Sequence, residues 1–137
     1  MSMDLERAKA LLHETGATCV IVGGDTVYQS TQRGVAPLLQ WLEEEVDMMG
    51  FCAADKVVGR GAAFLYRLLG VRCVYGQVMS LGAVKVLRAG GIDASWGTLT
   101  EAVRNRKNTG LCPIELATAN IEEPENALFI IRSNLPK

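Results

Sequence analysis

A short apolar segment, residues 72–79, lies between two runs that read as helices, residues 55–69 and 80–88. The short uninterrupted run reads as a strand, and the flanking runs carry helix-spaced apolar residues. A strand that feeds a helix sets the helix N-terminus at the strand's carboxyl end, where ligands collect in open α/β sheets. Such N-termini carry unpaired N–H groups and partial positive charge, and so attract anions. The first helix is expected to open on Asp55-Lys56-Val57-Val58-Gly59 and the second on Ser80-Leu81-Gly82. A pocket is expected between the two starts, with Asp55, Lys56 and Ser80 at its rim.

The rest of the chain extends this pattern. Residues 3–13 form an amphipathic helix, with Leu5, Ala8, Leu11 and Leu12 on one face and Gly16 closing it. Residues 17–22 and 27–30 are two strands joined by the turn Gly23-Gly24-Asp25-Thr26. A helix over residues 35–48 has Pro37 in its first turn, where proline costs little, and Glu43-Glu44-Glu45 on a solvated face. Residues 50–53 read as a short extended link. Beyond the second core helix, Gly90-Gly91 leads to a strand over residues 92–96. Helices follow over residues 99–106, from Cys112-Pro113, and from Pro124. This order predicts one domain over residues 1–137, an α/β fold built as a three-layer α/β/α sandwich around a mixed sheet.

Composition removes several classes of function. Hydrophobic residues make up 49% and charged residues 21%, enough for a sizeable core. Fourteen basic residues face fifteen acidic ones, which leaves no electrostatic footprint for nucleic acid. The one basic cluster, Arg104-Asn105-Arg106-Lys107-Asn108, reads as a solvated loop or as a phosphate clamp. No apolar run approaches the ~18 residues that cross a bilayer. The N-terminal segment is charged and helical rather than a signal peptide, so a cytoplasmic location is expected. Cys19, Cys52, Cys73 and Cys112 are scattered without a Cys-x-x-Cys pair, and read as buried thiols in a reducing compartment.

The order of elements resembles the cytidine-deaminase-like fold. In that superfamily one helix opens on a His/Cys-Ala-Glu motif and the next on Pro-Cys-x-x-Cys, and together they hold zinc. The matching starts here, Asp55-Lys56-Val57 and Met79-Ser80-Leu81-Gly82-Ala83, carry no histidine, cysteine or glutamate. Zinc needs several such ligands at fixed spacing, so no metal site and no zinc-dependent deamination is expected. Within that fold, the run Ala54-Asp55-Lys56-Val57-Val58-Gly59 and the segment Cys112-Pro113-Ile114-Glu115 resemble a small prokaryotic family designated a domain of unknown function. The resemblance spans roughly residues 4–125 and implies the fold without a reaction.

The candidate residues each carry two readings. Asp55 is an N-cap, or a base or substrate anchor. Lys56, a cation where the helix dipole disfavours one, is a surface residue or a contact for phosphate or carboxylate. Gly59 and Gly61 mark close packing of helix on sheet, or close approach of a ligand. Ser80 is an N-cap that can also donate to a ligand. Cys112 is a packed thiol, or a reactive one activated at a helix start. Glu115 is a capping glutamate, or a base that meets Cys112. Tyr75 and Trp96 are core residues or stacking platforms.

The leading expectation is a protein that binds an anionic or nucleotide-like small molecule. Lys56, Gly59 and Ser80 would bind it, and Asp55, Lys56, Cys112 and Glu115 are the candidate catalytic groups; no cofactor is expected. Two alternatives stand beside it. One is a non-catalytic interaction or regulatory subunit, with the apolar run Ala127-Leu128-Phe129-Ile130-Ile131 as a homo-oligomer contact. The other is a thiol or redox role through Cys112.

Overall fold

In the computed structural model, which describes residues 3–102 and 113–133, eleven elements are built around one mixed sheet. In chain order they are α1 (Met3–Thr15), β1 (Cys19–Gly23), β2 (Thr26–Ser30), α2 (Ala36–Glu43), β3 (Cys52–Val58), α3 (Arg60–Leu69), β4 (Cys73–Ser80), α4 (Leu81–Ala89), β5 (Asp93–Thr100), α5 (Pro113–Ala117) and α6 (Pro124–Ser133). The sheet order is β2-β1-β3-β4-β5. β1 runs antiparallel to both β2 and β3, whereas β3, β4 and β5 are parallel.

The α/β sandwich expected from the order of elements is present, with layers of unequal thickness. On one face α1 is the one helix among the described residues, and Ala8 and Leu12 pack on Val20, Val22 and Ala54. The other face carries the larger core, where α2, α3, α4 and α6 contribute Leu38, Trp41, Phe64, Leu65, Val84, Leu87 and Ile131. Period-two alternation in β1 explains the division: Val20 and Val22 turn to α1, and Cys19 and Ile21 turn to the larger core. Gly16 (φ +72°) and Gly70 (φ +82°) follow α1 and α3 in the left-handed conformation that ends a helix.

Three local expectations are corrected. The first concerns residues 50–58. Of these, Cys52–Val58 form the central strand β3, so Asp55 and Lys56 lie in a strand rather than at a helix start. A strand covered on both faces shows little alternation, and Cys52, Ala53 and Ala54 are all buried. The apolar residues on either side of Gly59 belong to different elements. Gly59 itself is extended (φ −100°, ψ −175°), and the helix begins after it. The second concerns residues 92–106: β5 continues through Leu99 and Thr100, paired with Met79 and Ser80, so no helix starts at Leu99. The remainder of that expected helix, and the basic cluster at residues 104–108, fall outside the described residues.

The third correction concerns the thiols. Cys52 and Cys73 are partners in the parallel β3–β4 register, with Cα atoms 4.9 Å apart, and their sulfurs form a disulfide. Cys19 is a free, buried thiol. Among the described residues, no helix is long and apolar enough to cross a membrane.

Candidate functional site

The strand β3 delivers its carboxyl end, Asp55-Lys56-Val57, to a cavity of about 430 Å³. That volume lies within the range of small-molecule sites, about 300–1,000 Å³. Thr18, before β1, and Arg33-Gly34-Val35, before α2, line it. The start of α3 (Gly59, Gly61, Ala62) and Ile114 and Glu115 of α5 line it as well. Lys56 and Arg33 are exposed. Asp55 is 6% exposed and borders the cavity from within the sheet.

Beneath Asp55 lies a chain of polar side chains in an otherwise apolar core. The Tyr66 hydroxyl, on α3, donates to Asp55 Oδ2 at 2.7 Å. Cys19 Sγ, on β1, lies 3.2 Å from the same hydroxyl. A phenol has one proton, so with that proton on Asp55 the thiol is the donor to Tyr66 Oη. The backbone N–H of Val57 donates to Asp55 Oδ1 at 3.4 Å. Burial raises the Asp55 carboxyl from its ordinary 3.8 to about 7, against the opposing pull of the hydrogen bonds from Tyr66, Val57 and Lys56. Burial, with the nearby Asp55 charge, also holds the Cys19 thiol and the Tyr66 phenol in their neutral forms, well above their usual values. Cys19 and Tyr66 were not candidates in the sequence. The small β1 and the helix α3 are far apart in the chain, and each residue sits in a run that reads as plain core.

The start of α3 is organised from a distance. Gly59 has no side chain to cap with. Glu115 Oε2 instead accepts from the Arg60 backbone N–H at 2.8 Å, across 55 positions of sequence. Arg60 reaches back, donating from Nε to the Thr118 carbonyl (2.9 Å) and from a terminal nitrogen to that of Ile121 (2.7 Å). These contacts seat α5 against α3. Gly61 makes the approach possible, because a Cβ there would fall 2.3 Å from Ile114 Cγ2. Its partner is therefore α5 and not the sheet.

Residues 7–135 match the family model described as a domain of unknown function, DUF1893. The chain belongs to the DUF1893 family. A solved DUF1893 family protein from Thermotoga maritima superposes with a TM-score of 0.89 at 20% identity, covering 98% of this chain and 92% of that one. That likeness shows a shared fold. Weaker structural similarity, each with a TM-score of 0.45, links the chain to two deaminases. One is the dCMP deaminase of cyanophage S-TIM5 (11% identity, 68% of this chain, 93% of that one). The other is a diaminohydroxyphosphoribosylaminopyrimidine deaminase/reductase of Thermotoga maritima (13% identity, 84% of this chain, 40% of that one). No curated protein matches.

In this DUF1893 chain the structure brings Asp55, Lys56, Gly59 and Glu115 to one cavity. Asp55 caps no helix, and Lys56 faces no helix dipole of its own, since both precede α3 in a strand. Glu115 caps α3 rather than the helix it belongs to. Ser80 stands apart: it is fully buried, it does not line the cavity, and its Oγ accepts from Ala83 N–H at 3.1 Å. The two helix starts do meet, but at the Arg60 side chain, which lies against Gly82. Cys112 lies outside the described residues. Among the described residues, no three His, Cys, Asp or Glu side chains gather at metal-binding distance. Tyr75 and Trp96 are half-buried, the first against the α1 side and the second against the larger core. In the 127–131 run, Ala127 and Ile131 are buried in the core and Phe129 is exposed.

Proposed function

We propose that this protein binds a small anionic molecule in the cavity at the carboxyl end of β3. The observation that carries the reading is the lining itself. Two exposed cations, Arg33 and Lys56, border a space of ligand size whose inner wall holds the buried carboxyl group of Asp55. Binding sites combine apolar walls with a few polar groups that converge, and a strongly perturbed carboxyl in a cleft is a mark of such sites. Val35, Ala62 and Ile114 supply the apolar walls. The first turn of α3 opens on the same space and adds its partial positive charge. A nucleotide-like ligand is one member of the class, with its phosphate at Arg33 and Lys56.

The test is a thermal-shift screen of nucleotides, nucleosides, amino acids and phosphate esters, with Lys56→Ala and Arg33→Ala in parallel. A ligand at ~100 times its dissociation constant adds about 2.7 kcal/mol, which raises the melting temperature by several degrees in a domain of this size. The expected result is a shift that shrinks in both variants. A shift that persists unchanged in both places the ligand elsewhere. No shift from any compound removes the reading, and an interaction module takes its place.

A further inference from the structure

Among the described residues, no cation pairs with the buried carboxyl group of Asp55. Among the described residues the ion pairs are Lys9–Glu6, Arg72–Asp4 and Arg132–Glu43, and none involves it. Buried carboxylates are ordinarily paired or kept neutral. The groups around Asp55 account for one side of it only. α3 supplies Tyr66 and β1 supplies Cys19, both neutral. β4 supplies Gly76 at the registered position, with no ionisable group. Glu115 of α5 is taken up by the Arg60 N–H. Lys56, on the same strand, and Arg33, before α2, are exposed at the cavity wall and make no ion pair with it. Among the described residues, what remains next to Asp55 is the cavity.

We propose that the ligand of this cavity carries both signs: a protonated amine, or a comparable N–H-rich cation, that pairs with the Asp55 carboxylate, and an anionic group held by Arg33 and Lys56. The inference rests on the reading of the cavity as a ligand site and names its ligand class, small zwitterions such as amino acids, aminosulfonates and aminophosphates. The cationic end supplies the partner that the described residues do not, and the anionic end reaches the exposed wall.

The step is linked to one proton. With its carboxyl raised to about 7, Asp55 in the empty cavity is largely protonated in mildly acidic solution. Pairing with a ligand cation requires the carboxylate, so the Asp55 proton passes to solvent as the ion pair forms. The Tyr66 hydroxyl, donating to Oδ2, steadies that carboxylate and positions it, and Cys19 in turn supports Tyr66.

The test uses three aminosulfonates, taurine, 3-aminopropanesulfonate and 4-aminobutanesulfonate, and their amine-free counterparts, titrated calorimetrically into the protein from pH 5.5 to 8. The charges of these probes are constant across that range, and their lengths scan the span between the two ends. At least one aminosulfonate is expected to bind tenfold or more tightly than its amine-free counterpart above pH 7. Below that pH its affinity should fall about tenfold per pH unit, with one proton released. Asp55→Asn should erase the preference for the amine. Tyr66→Phe should keep the preference and move the pH midpoint upward, because it removes a hydrogen bond that favours the carboxylate; a merely structural role would leave the midpoint in place. Equal binding of both series overturns the inference and leaves the anionic reading standing. Affinity that rises as the pH falls also overturns it, because Asp55 would then be serving as a neutral acid. Binding by neither series overturns both readings. The wild-type pH profile decides the matter even if a variant does not fold.

Discussion

Two neighbouring β–α units, β3–α3 and β4–α4, lie side by side in this molecule, and they are built for different ends. Their strands are parallel and in register, from the joined Cys52 and Cys73 at one end to Val58 and Met79 at the other. At the fourth registered pair they part. Where β3 has Asp55, β4 has Gly76. Where α4 opens on Ser80, which caps its own helix, α3 opens on Gly59 and borrows Glu115 from α5. The β4–α4 unit closes on itself within a few residues. The β3–α3 unit leaves a gap that a distant segment half fills, and the cavity is the remainder. The cavity arises here because one of two equivalent units is incomplete by itself.

The largest expected effect tests the Asp55 side of that difference. A group raised in the folded state stabilises the fold fully below its unfolded value, and that contribution is lost as the pH rises through the folded value. For Asp55 the window runs from 3.8 to about 7. The rise corresponds to about 4 kcal/mol at most, lost across that window and absent above it. Asp55→Asn keeps the shape and removes the charge. The stability gap between wild type and variant, measured by urea unfolding, should therefore shift in favour of the variant by up to this amount between pH 4 and pH 8. A gap that does not change with pH would mean that Asp55 is solvated, and that the cavity has no buried acid.

The second effect tests the borrowed cap. Glu115 is 6% exposed and accepts from a backbone N–H. Its loss in Glu115→Ala leaves the Arg60 N–H without that acceptor, which costs about 1–3 kcal/mol. The same change loosens the seat of α5, and with it one wall of the cavity. Glu115→Gln keeps an acceptor oxygen and should recover most of the loss. If Glu115→Ala unfolds at the same urea concentration as the wild type, the start of α3 needs no remote partner, and the contrast between the two units loses half its basis.

This contrast also marks what could be read in the chain. The β4–α4 unit was legible because its signals are local: a short apolar run, then a serine with N–H groups of its own helix in reach. The hairpin turn at Gly24 and Asp25, the proline in the first turn of α2 and the glycine after α1 were legible for the same reason. The β3–α3 unit misled. Small and apolar residues predominate on both sides of Gly59, from Cys52 to Leu69, and the pairing of β3 with β1 and β4 divides them into strand and helix. Glu115 did register as a capping glutamate, but the helix it caps is set by tertiary folding. Asp55 and Lys56 stand out in the sequence as a helix start, but the structure places them in the strand β3. Tyr66 and Cys19 carried no signal at all, since a hydroxyl and a thiol inside apolar runs acquire meaning only when folding sets a carboxylate between them and a cavity.

The smallest effect belongs to the complete unit, and it sharpens the comparison from the other side. Ser80 is fully buried, its hydroxyl is spent on Ala83 N–H, and it does not touch the cavity. Ser80→Ala should cost about 1 kcal/mol, the ordinary worth of an N-cap. The loss should be the same at pH 4 and pH 8, because no titrating group takes part. Ligand affinity at the cavity should be unchanged, since α4 is anchored along its length by Val84, Val86 and Leu87 in the core. A Ser80→Ala variant that weakened binding as much as Lys56→Ala would show that the two helix starts act as one site, and the division between a self-contained unit and an open one would then fail.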